Sequence, residues 1–469
     1  MRRLLPSIGG LTVAALGFIV TFTARVKVDD AWWHLGVGQF MLSTHTLPTT
    51  NRFSFTAPDA PWLAHEWLSE VLFALVYRAG PSVLVLFATT LQVAAFAMVA
   101  LLARGNGKTP GWSAALTFAS SLLLIANFSI RPYLLGNLAL LVTLWFANRD
   151  LPVHPERSRR AELFNSRAGR AVAIVALFIL WANLHGSFIF GLGVLGLWAL
   201  TDGTNRSQRF TELGVATGAC LVTPHFLDGL LFPLLYLRTS LQRDQPNFLS
   251  NILEWQRVSP TSALGVVLLV MLAVAIAVIL ASRTRPTWAH VGLLAVFGFA
   301  AFAAVRNVAL LGIALAVVLP RHLEALAVKS PSKLASLESS PLLPVLAWGI
   351  AALTLLGAPL ATDFYPRDAV ARLGPKDRVL NSFNWGGALL FAGVPVFIDQ
   401  RNDCYPPEVL QDYLRAHRVE TGWQDVLAKW RIDTVLWPSG GALADALRSS
   451  PGWQVSYEDG DAVIFRRTP

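Results

Sequence analysis

Long apolar runs recur along the chain near residues 5–24, 81–103, 112–128, 134–147, 171–184, 187–201, 211–224, 262–281, 288–304, 307–320 and 341–360. Once tilt and short flanking extensions are allowed, such runs cross roughly 30 Å of hydrocarbon, so they read as about eleven transmembrane helices. Composition requires the same conclusion: 54% of the 469 residues are apolar, 14% are charged and the mean hydropathy is +0.50, a balance that one soluble core cannot hide from water. Several runs are short and come in pairs split by a polar pivot, at Ser129-Ile130-Arg131-Pro132, at His185-Gly186 and at Arg306-Asn307. Each pair is also compatible with one long, broken helix. Hairpins are favoured, because each run alone has about the length of a thin or tilted crossing and their sums are too long for one. Met1-Arg2-Arg3 and the first apolar run resemble a signal peptide, but no small-residue cleavage site precedes the charged segment after Ala24. They read as a retained first span.

Orientation follows from lysine and arginine in the short loops. Residues 148–170 carry Arg149, Arg157, Arg159, Arg160, Arg167 and Arg170, which marks that loop as cytoplasmic. Alternation then places Arg2 and Arg3, Arg104 and Lys108, Arg206 and Arg209, Arg283 and Arg285, and Arg321 and Lys333 on the same side. The net charge of +9 therefore reports orientation in a bacterial-type inner membrane, and no nucleic-acid partner is needed to explain it. The outer side receives residues 25–80, the pivots, residues 225–261 and everything after about 361. The chain thus divides into a transmembrane unit, 1–360, whose outer loop 25–80 carries acidic residues, and an extracytoplasmic tail, 361–469. Cys220 and Cys404 fall in a span and in the tail, and suit neither a disulfide framework nor a zinc site.

The outer segments differ in character from the spans. Residues 29–70 hold Trp32, Trp33, Trp62 and Trp67, which fit an interfacial belt, and Glu66 to Tyr77 has the pattern of an amphipathic helix on the membrane surface. The tail reads as a small α/β domain, with strands at Arg378 to Asn381, Val394 to Asp399, Thr434 to Trp437, Trp453 to Tyr457 and Ala462 to Arg466. Helices are expected at Pro407 to His417, Gly422 to Lys429 and Ala442 to Arg448. The turn Glu458-Asp459-Gly460-Asp461 supports the terminal hairpin.

The polar residues that matter chemically are scattered in sequence but fall on one side of the membrane: Asp29, Asp30, Glu66, Arg131, His185, Glu254 and Arg306. The spans hold almost no acids at mid-depth, where ion-coupled transporters place them. A reaction that suits this layout is group transfer from a lipid phosphate to an acceptor outside the cytoplasm. An acceptor hydroxyl needs a carboxylate to take its proton, for which Asp30 is placed, and the departing phosphate needs cations, for which Arg131 and Arg306 are placed. Arginine suits the second task because its planar fork binds phosphate oxygens bidentately.

The text Asp29-Asp30-Ala31-Trp32-Trp33-His34-Leu35 and Trp62-Leu63-Ala64-His65-Glu66-Trp67-Leu68 resembles the GT-C superfamily of polytopic glycosyltransferases. So do Arg131-Pro132, Trp181-Ala182-Asn183-Leu184-His185-Gly186, Glu254-Trp255 and Arg306-Asn307 further along, and the tail motif Asn384-Trp385-Gly386-Gly387 with Phe397-Ile398-Asp399-Gln400-Arg401. The resemblance implies an all-α, GT-C-like membrane bundle with a C-terminal extracytoplasmic α/β domain, and an acidic residue or pair acting from the first outer loop. It implies a polyprenyl-phosphate sugar as donor, an extracytoplasmic glycan, lipid or protein hydroxyl as acceptor, and membrane lipids as surroundings. The expected catalytic residues are Asp30, Asp29 and Glu66; the expected substrate-binding residues are Trp33, His34, His65, Arg131, His185, Glu254, Arg306 and Asn307. The resemblance fixes no cofactor and is compatible with a divalent metal ion. Asp29 either orients Asp30, raises its pKa by like charge, or binds a divalent metal ion with it.

Plainer readings stand beside these. Asp30 can be a solvated loop residue, His34 and its tryptophans interfacial packing, and Glu66 the acid that favours a helix N-terminus. Arg131 and Arg306 can snorkel to headgroups, although an outward arginine runs against the positive-inside bias. His185 beside Gly186 can cap carbonyls at a tight turn, and Asp399 with Arg401 reads first as a structural ion pair. Two other functional classes compete with a transferase. A lipid-linked sugar flippase or transporter needs an internal repeat and a polar path, neither of which is visible, and a membrane scaffold leaves the outward acids and arginines without a purpose. Reporter fusions at Arg160 and at Gly440 are expected to report opposite sides of the membrane; a same-side result overturns the span count.

Overall fold

The computed structural model describes residues 30–105, 110–125, 129–148, 167–241, 253–326 and 365–468. Among the described residues four helices are long and apolar enough to cross a membrane: Pro81–Gly105, Arg167–Leu184, Ala263–Ala281 and Val305–Ala325, the last including a short 3₁₀ lead-in. Five shorter apolar helices accompany them, among them Tyr133–Asn148, Phe188–Thr201 and Trp288–Ala303. The count of about eleven spans is therefore not reached among the described residues. The runs near 5–24 and 341–360 lie outside them, and the run near 211–224 is instead a helix from Arg206 to Ala219 whose first half is polar. The chain is a multi-pass membrane protein. Ala263–Ala281 shows why: Val266, Val267, Val270, Val274, Ile276 and Leu280 are all exposed, which only a lipid surround makes favourable.

Helix ends are set by local chemistry. Ser262 caps Ala263–Ala281 by accepting from Gly265 N at 3.1 Å, and Thr287 caps Trp288–Ala303 by accepting from His290 N at 3.2 Å. Two of the pivots make turns of the expected kind, at His185 and at Arg306, and residues 126–128 before the Arg131 pivot lie outside the described ones. Trp288–Ala303 and Val308–Ala325 pack together across the 3₁₀ turn Val305–Asn307. At the His185 pivot the chain also reverses, because Gly191 comes against Trp181 and Phe178 of the preceding helix; a Cβ there would meet the Trp181 ring at 2.3 Å. Val305 N donates to Gln256 O at 3.0 Å and Val258 N to Phe302 O at 3.1 Å, tying the segment around Glu254 to the Arg306 turn.

The opposite end of the bundle is closed by a buried ionic network. Arg170 pairs with Glu212 at 2.5 Å, and Arg209 reaches Asp202 at 3.1 Å, Glu212 at 3.3 Å and the carbonyl of Ala147 at 3.0 Å. These partners satisfy one another, so this end is structural.

The tail forms a four-stranded sheet in the order β1 (Val379–Asn381), β2 (Thr434–Pro438), β4 (Ala462–Arg467), β3 (Trp453–Glu458). β1 is parallel to β2, and the other pairs are antiparallel. Helices Pro407–His417, Trp423–Lys429 and Ala442–Arg448 cover it, close to their expected bounds; Pro407 at the first helical turn has no N–H to lose. One expectation fails: Val394 to Asp399 is not a strand. Only Val396 bridges, to Val379 on one side and to Ser54 of the outer loop on the other, because the side-chain amide of Asn381 takes the neighbouring backbone groups. It accepts from Phe397 N at 2.9 Å and donates to Ile398 O at 2.8 Å.

That bridge joins the tail to the outer loop. Thr56 Oγ1 donates to Phe397 O at 2.7 Å and Ser54 Oγ to Val396 O at 3.0 Å, while Trp33, Val37, Met41 and Trp62 share one core with Val379, Leu389, Leu436 and Ile464. The helix Gly386–Phe391 lies on the helix Ala31–Thr44 so closely that a Cβ on Gly387 would sit 2.9 Å from Trp33 N. Asp399 and Arg401 make the structural pair expected of them: the guanidinium is buried, bonded to Asp399 at 2.6 Å and to Asn51 Oδ1 at 2.8 Å, and lies 4.7 Å over Trp62. Replacing Asp399 by Ala strands that buried cation and is expected to cost about 3–5 kcal/mol, read as a lowered melting temperature in detergent.

Candidate functional site

A cavity of about 1580 Å³ opens where the pivots, the outer loop and the tail meet. Asp30, Trp33, His34, His65, Glu66, Arg131, His185, Glu254, Arg306 and Asn307 all line it. Asp29 lies outside the described residues. The structure thus brings together, from six separate stretches of sequence, every described residue expected at the site.

One wall is ionic. Asp30 stands at the start of the helix Ala31–Thr44 without capping it through its side chain, and its carboxylate meets Arg131 Nη2 at 2.8 Å. Arg131, in the pivot before Tyr133–Asn148, also bonds Glu254, and the other oxygen of Glu254 is 3.8 Å from Arg306. Arg306 lies 4.2 Å over the Trp255 ring, a cation–π contact that fixes its fork. Burial alone would raise the pKa of Glu254, but Arg306 and Arg131 outweigh it and hold the carboxyl below its ordinary range. The result is an alternating row of two acids and two arginines.

A second cluster centres on Glu66. Its Oε1 lies 3.3 Å from His185 Nε2 and 3.5 Å from His65 Nε2. Burial opposes charge on all three, yet the mutual attraction of His65 and Glu66 prevails: the His65 pKa is raised to about 9, and that of Glu66 is held far below normal. Burial keeps His185 neutral, with its pKa lowered to about 4. Instead of capping carbonyls, His185 accepts from Ser187 N through Nδ1 at 3.0 Å, so its proton sits on Nε2 and points to Glu66. Gly136 makes room for this turn: a Cβ there would come within 2.3 Å of Ser187 Oγ and 3.1 Å of His185 Nδ1.

Several lining residues were not expected. Glu70, one helical turn beyond Glu66, faces the cavity beside His34, and its spacing from Glu66 is the signal that identifies it. The tail supplies Asn384, Gln400, Arg401, Asn402 and Asp403. Gln400, between Asp399 and Arg401, accepts from Gly387 N at 3.0 Å and donates to Asn384 O at 2.8 Å, so its side chain joins the two parts of the tail motif. Among the described residues no group of three or more His, Cys, Asp or Glu is arranged to hold a metal ion.

Below the polar wall the cavity becomes apolar. Leu140, Ile189, Val194, Leu197, Phe297 and Leu310 line a groove that follows Phe188–Thr201 down the bundle as far as Leu200. Leu200, Val296 and Phe299 are exposed, so the groove opens sideways. A charged head with an apolar chain matches this shape.

No protein-family model and no curated protein matches the sequence. Solved structures do match in fold. The oligosaccharyltransferase AglB from Archaeoglobus fulgidus, in complex with an inhibitory peptide and a dolichol-phosphate, aligns with a TM-score of 0.58 at 12% identity, over 98% of this chain and 74% of that one. ArnT from Cupriavidus metallidurans aligns in its apo state with a TM-score of 0.55 at 15% identity, over 97% of this chain and 96% of that one. The same protein bound to undecaprenyl phosphate gives 0.54 at 14% identity, over 97% of each chain. The likeness is one of fold, spans nearly the whole chain, and bears out the GT-C-like architecture that the resemblance in sequence implies.

The His65 pKa is raised from 6.5 to about 9, so its pairing with Glu66 stabilises the folded state fully below about pH 6.5 and is lost as pH rises through 9. Melting temperature in detergent is expected to fall over that window, and to fall less in His65→Gln.

Proposed function

We propose that the protein is a membrane glycosyltransferase that moves a sugar from a polyprenyl-phosphate donor to an acceptor hydroxyl on the outer side of the membrane. The observation that carries this reading is the meeting of Arg131, Arg306 and Asp30 at the head of an apolar groove that opens sideways. Two of the structures with this fold hold lipid phosphates, a dolichol-phosphate and undecaprenyl phosphate, which supports the same class of carrier here. In this reading the lipid chain lies along the Phe188–Thr201 groove, the phosphate sits at Arg131 and Arg306, and the tail faces the acceptor from outside. The chain is then a transmembrane unit to about residue 360 with an extracytoplasmic tail beyond it.

The chemistry is a single displacement. The acceptor oxygen attacks the anomeric carbon, the bond from that carbon to the phosphate oxygen breaks, and Asp30 takes the hydroxyl proton. The phosphate passes from a diester with one charge to a monoester with two, and Arg131 and Arg306 stabilise the charge that grows. One displacement inverts the anomeric centre and leaves no covalent intermediate.

The ionic row gives this scheme its order. With no donor bound, Arg131 is held by Asp30 and Glu254, so acids occupy the places of phosphate oxygens. An arriving phosphate draws Arg131 toward itself and leaves the Asp30 carboxylate freer to accept a proton. Glu254, shared between the arginines, keeps their forks aligned.

Purified protein incubated with a panel of polyprenyl-phosphate sugars and watched for donor loss tests the reading. Asp30→Asn is expected to lower turnover by about two to four decades with donor binding largely kept, the loss of a general base. Arg131→Ala or Arg306→Ala is expected to weaken donor binding and turnover together. Near-parental transfer by Asp30→Asn removes Asp30 from the mechanism and moves the search to Asp29 and Glu66.

A further inference from the structure

Polar side chains on the apolar helices mostly bond their own backbone. Thr143 Oγ1 donates to Ala139 O at 2.9 Å, and the asparagines Asn148 and Asn183 each donate to the carbonyl one turn back, Leu144 O at 2.9 Å and Ile179 O at 2.8 Å. In hydrocarbon that bond is the most direct way to satisfy an amide. Asn137 differs. The carbonyl of Tyr133 stands at the same spacing from it, yet its side chain makes no hydrogen bond among the described residues. It is half-buried and lines the cavity, so its amide is open to whatever fills that space.

The helix defines how deep this amide lies. Tyr133, Gly136, Asn137 and Leu140 line the cavity at the spacing of one helix face, so position along the sequence reads as depth. Arg131 stands in the pivot before the first turn, and Asn137 follows Tyr133 by one turn, about 6 Å further in. Leu140, on the next turn, already belongs to the apolar groove. Asn137 is therefore the last polar group on this face before the groove. Asn307, beside Arg306, is also uncommitted: it holds the N-cap position of Val308–Ala325, where asparagine ordinarily accepts a backbone N–H, and its side chain makes no such bond.

Resting on the reading of the cavity as a lipid-phosphate donor site, we infer that the Asn137 amide donates to the carrier's phosphate from the membrane side. Arg131 and Arg306 hold the phosphate at the mouth, and Asn137 sets how far in it sits. In that reading the sugar and the attacking acceptor lie outward of the phosphate, and the apolar chain begins inward of it. A polar group at the head of the groove then meets phosphate oxygens. An amide suits this place better than a third cation, because it donates to an ionised acceptor without adding a charge at a depth where unbalanced charge is costly. This deepens the proposed function by assigning a residue within an apolar helix to recognition of the carrier's phosphate.

The test uses the purified full-length protein and compares the Kd for a polyprenyl phosphate with that for the matching polyprenol, which has the chain and no phosphate. Asn137→Leu keeps the branch at Cγ and suits an apolar helix; Asn137→Ala removes the amide without filling its place. In both, the Kd for the phosphate is expected to rise about tenfold, the size of one hydrogen bond to a charged group, and the Kd for the polyprenol to stay within about twofold. Retained polyprenol binding also shows that the variants fold. An unchanged phosphate Kd in both means that only water meets the amide, and overturns the inference. A loss shared equally by the polyprenol in both means that the side chain shapes the groove, and overturns it too. In either failure the parent protein still prefers the phosphate. A parent that binds polyprenyl phosphate no better than polyprenol refutes the underlying reading of the cavity as well.

Discussion

Charge at the edge of a bilayer must be matched by charge, because water is too scarce there to do it alone. At the cavity mouth the matching is done by the alternating row Asp30, Arg131, Glu254 and Arg306. Its members come from the start of the outer loop, from one pivot, from the segment after residue 252 and from the next pivot. None of these segments is regular enough to place itself. Each is short and polar, and the row of ion pairs joins them, together with the backbone bonds between the Glu254 segment and the Arg306 turn. The apolar helices beneath supply the scaffold, and the row links the Arg131 and Arg306 pivots through Glu254. A group that enters the row must replace one of its members, which is why an anion with several oxygens suits it.

The roof is built in a related way. The tail has its own core, around Val435, Phe465 and Leu443, yet it also shares a core with Trp33, Val37 and Trp62. Glycines at 36, 38 and 387 remove the side chains that would hold the helices and the tail apart; a Cβ on Gly36 would strike Leu390 at 2.3 Å, and one on Gly38 would strike the Glu70 carbonyl at 2.1 Å. Outer loop and tail are therefore two sides of one wall, and the cavity depends on both.

Much of the architecture is legible in the sequence for identifiable reasons. Arginines at 131 and 306 stand out because the positive-inside bias makes an outward cation anomalous, and both line the cavity. The tail helices are legible from their periodicity and from Pro407. Other features depend on contacts between distant segments and leave no local trace. The stretch Val394 to Asp399 has strand composition, but its hydrogen bonds go to the Asn381 side chain and to the outer loop. Arg401 reads as the ion-pair partner of Asp399, but its burial against Asn51 and Trp62 does not show in its neighbours in sequence. Glu70 carries its helical spacing from Glu66 as a signal, but its place beside His34 comes from the packing of two helices. Span number is the least legible, since helices of marginal length cross or do not cross according to their neighbours.

The sideways opening near Leu200, Val296 and Phe299 changes what concentration means for this protein. A molecule that enters there arrives by diffusion in a plane, and its effective abundance is its mole fraction among the surrounding lipids rather than its amount per volume of water. In the proposed function, the spent carrier leaves by the same door into the same plane. It stays within reach of the site it has left, so occupancy depends on how quickly other proteins draw the spent carrier away.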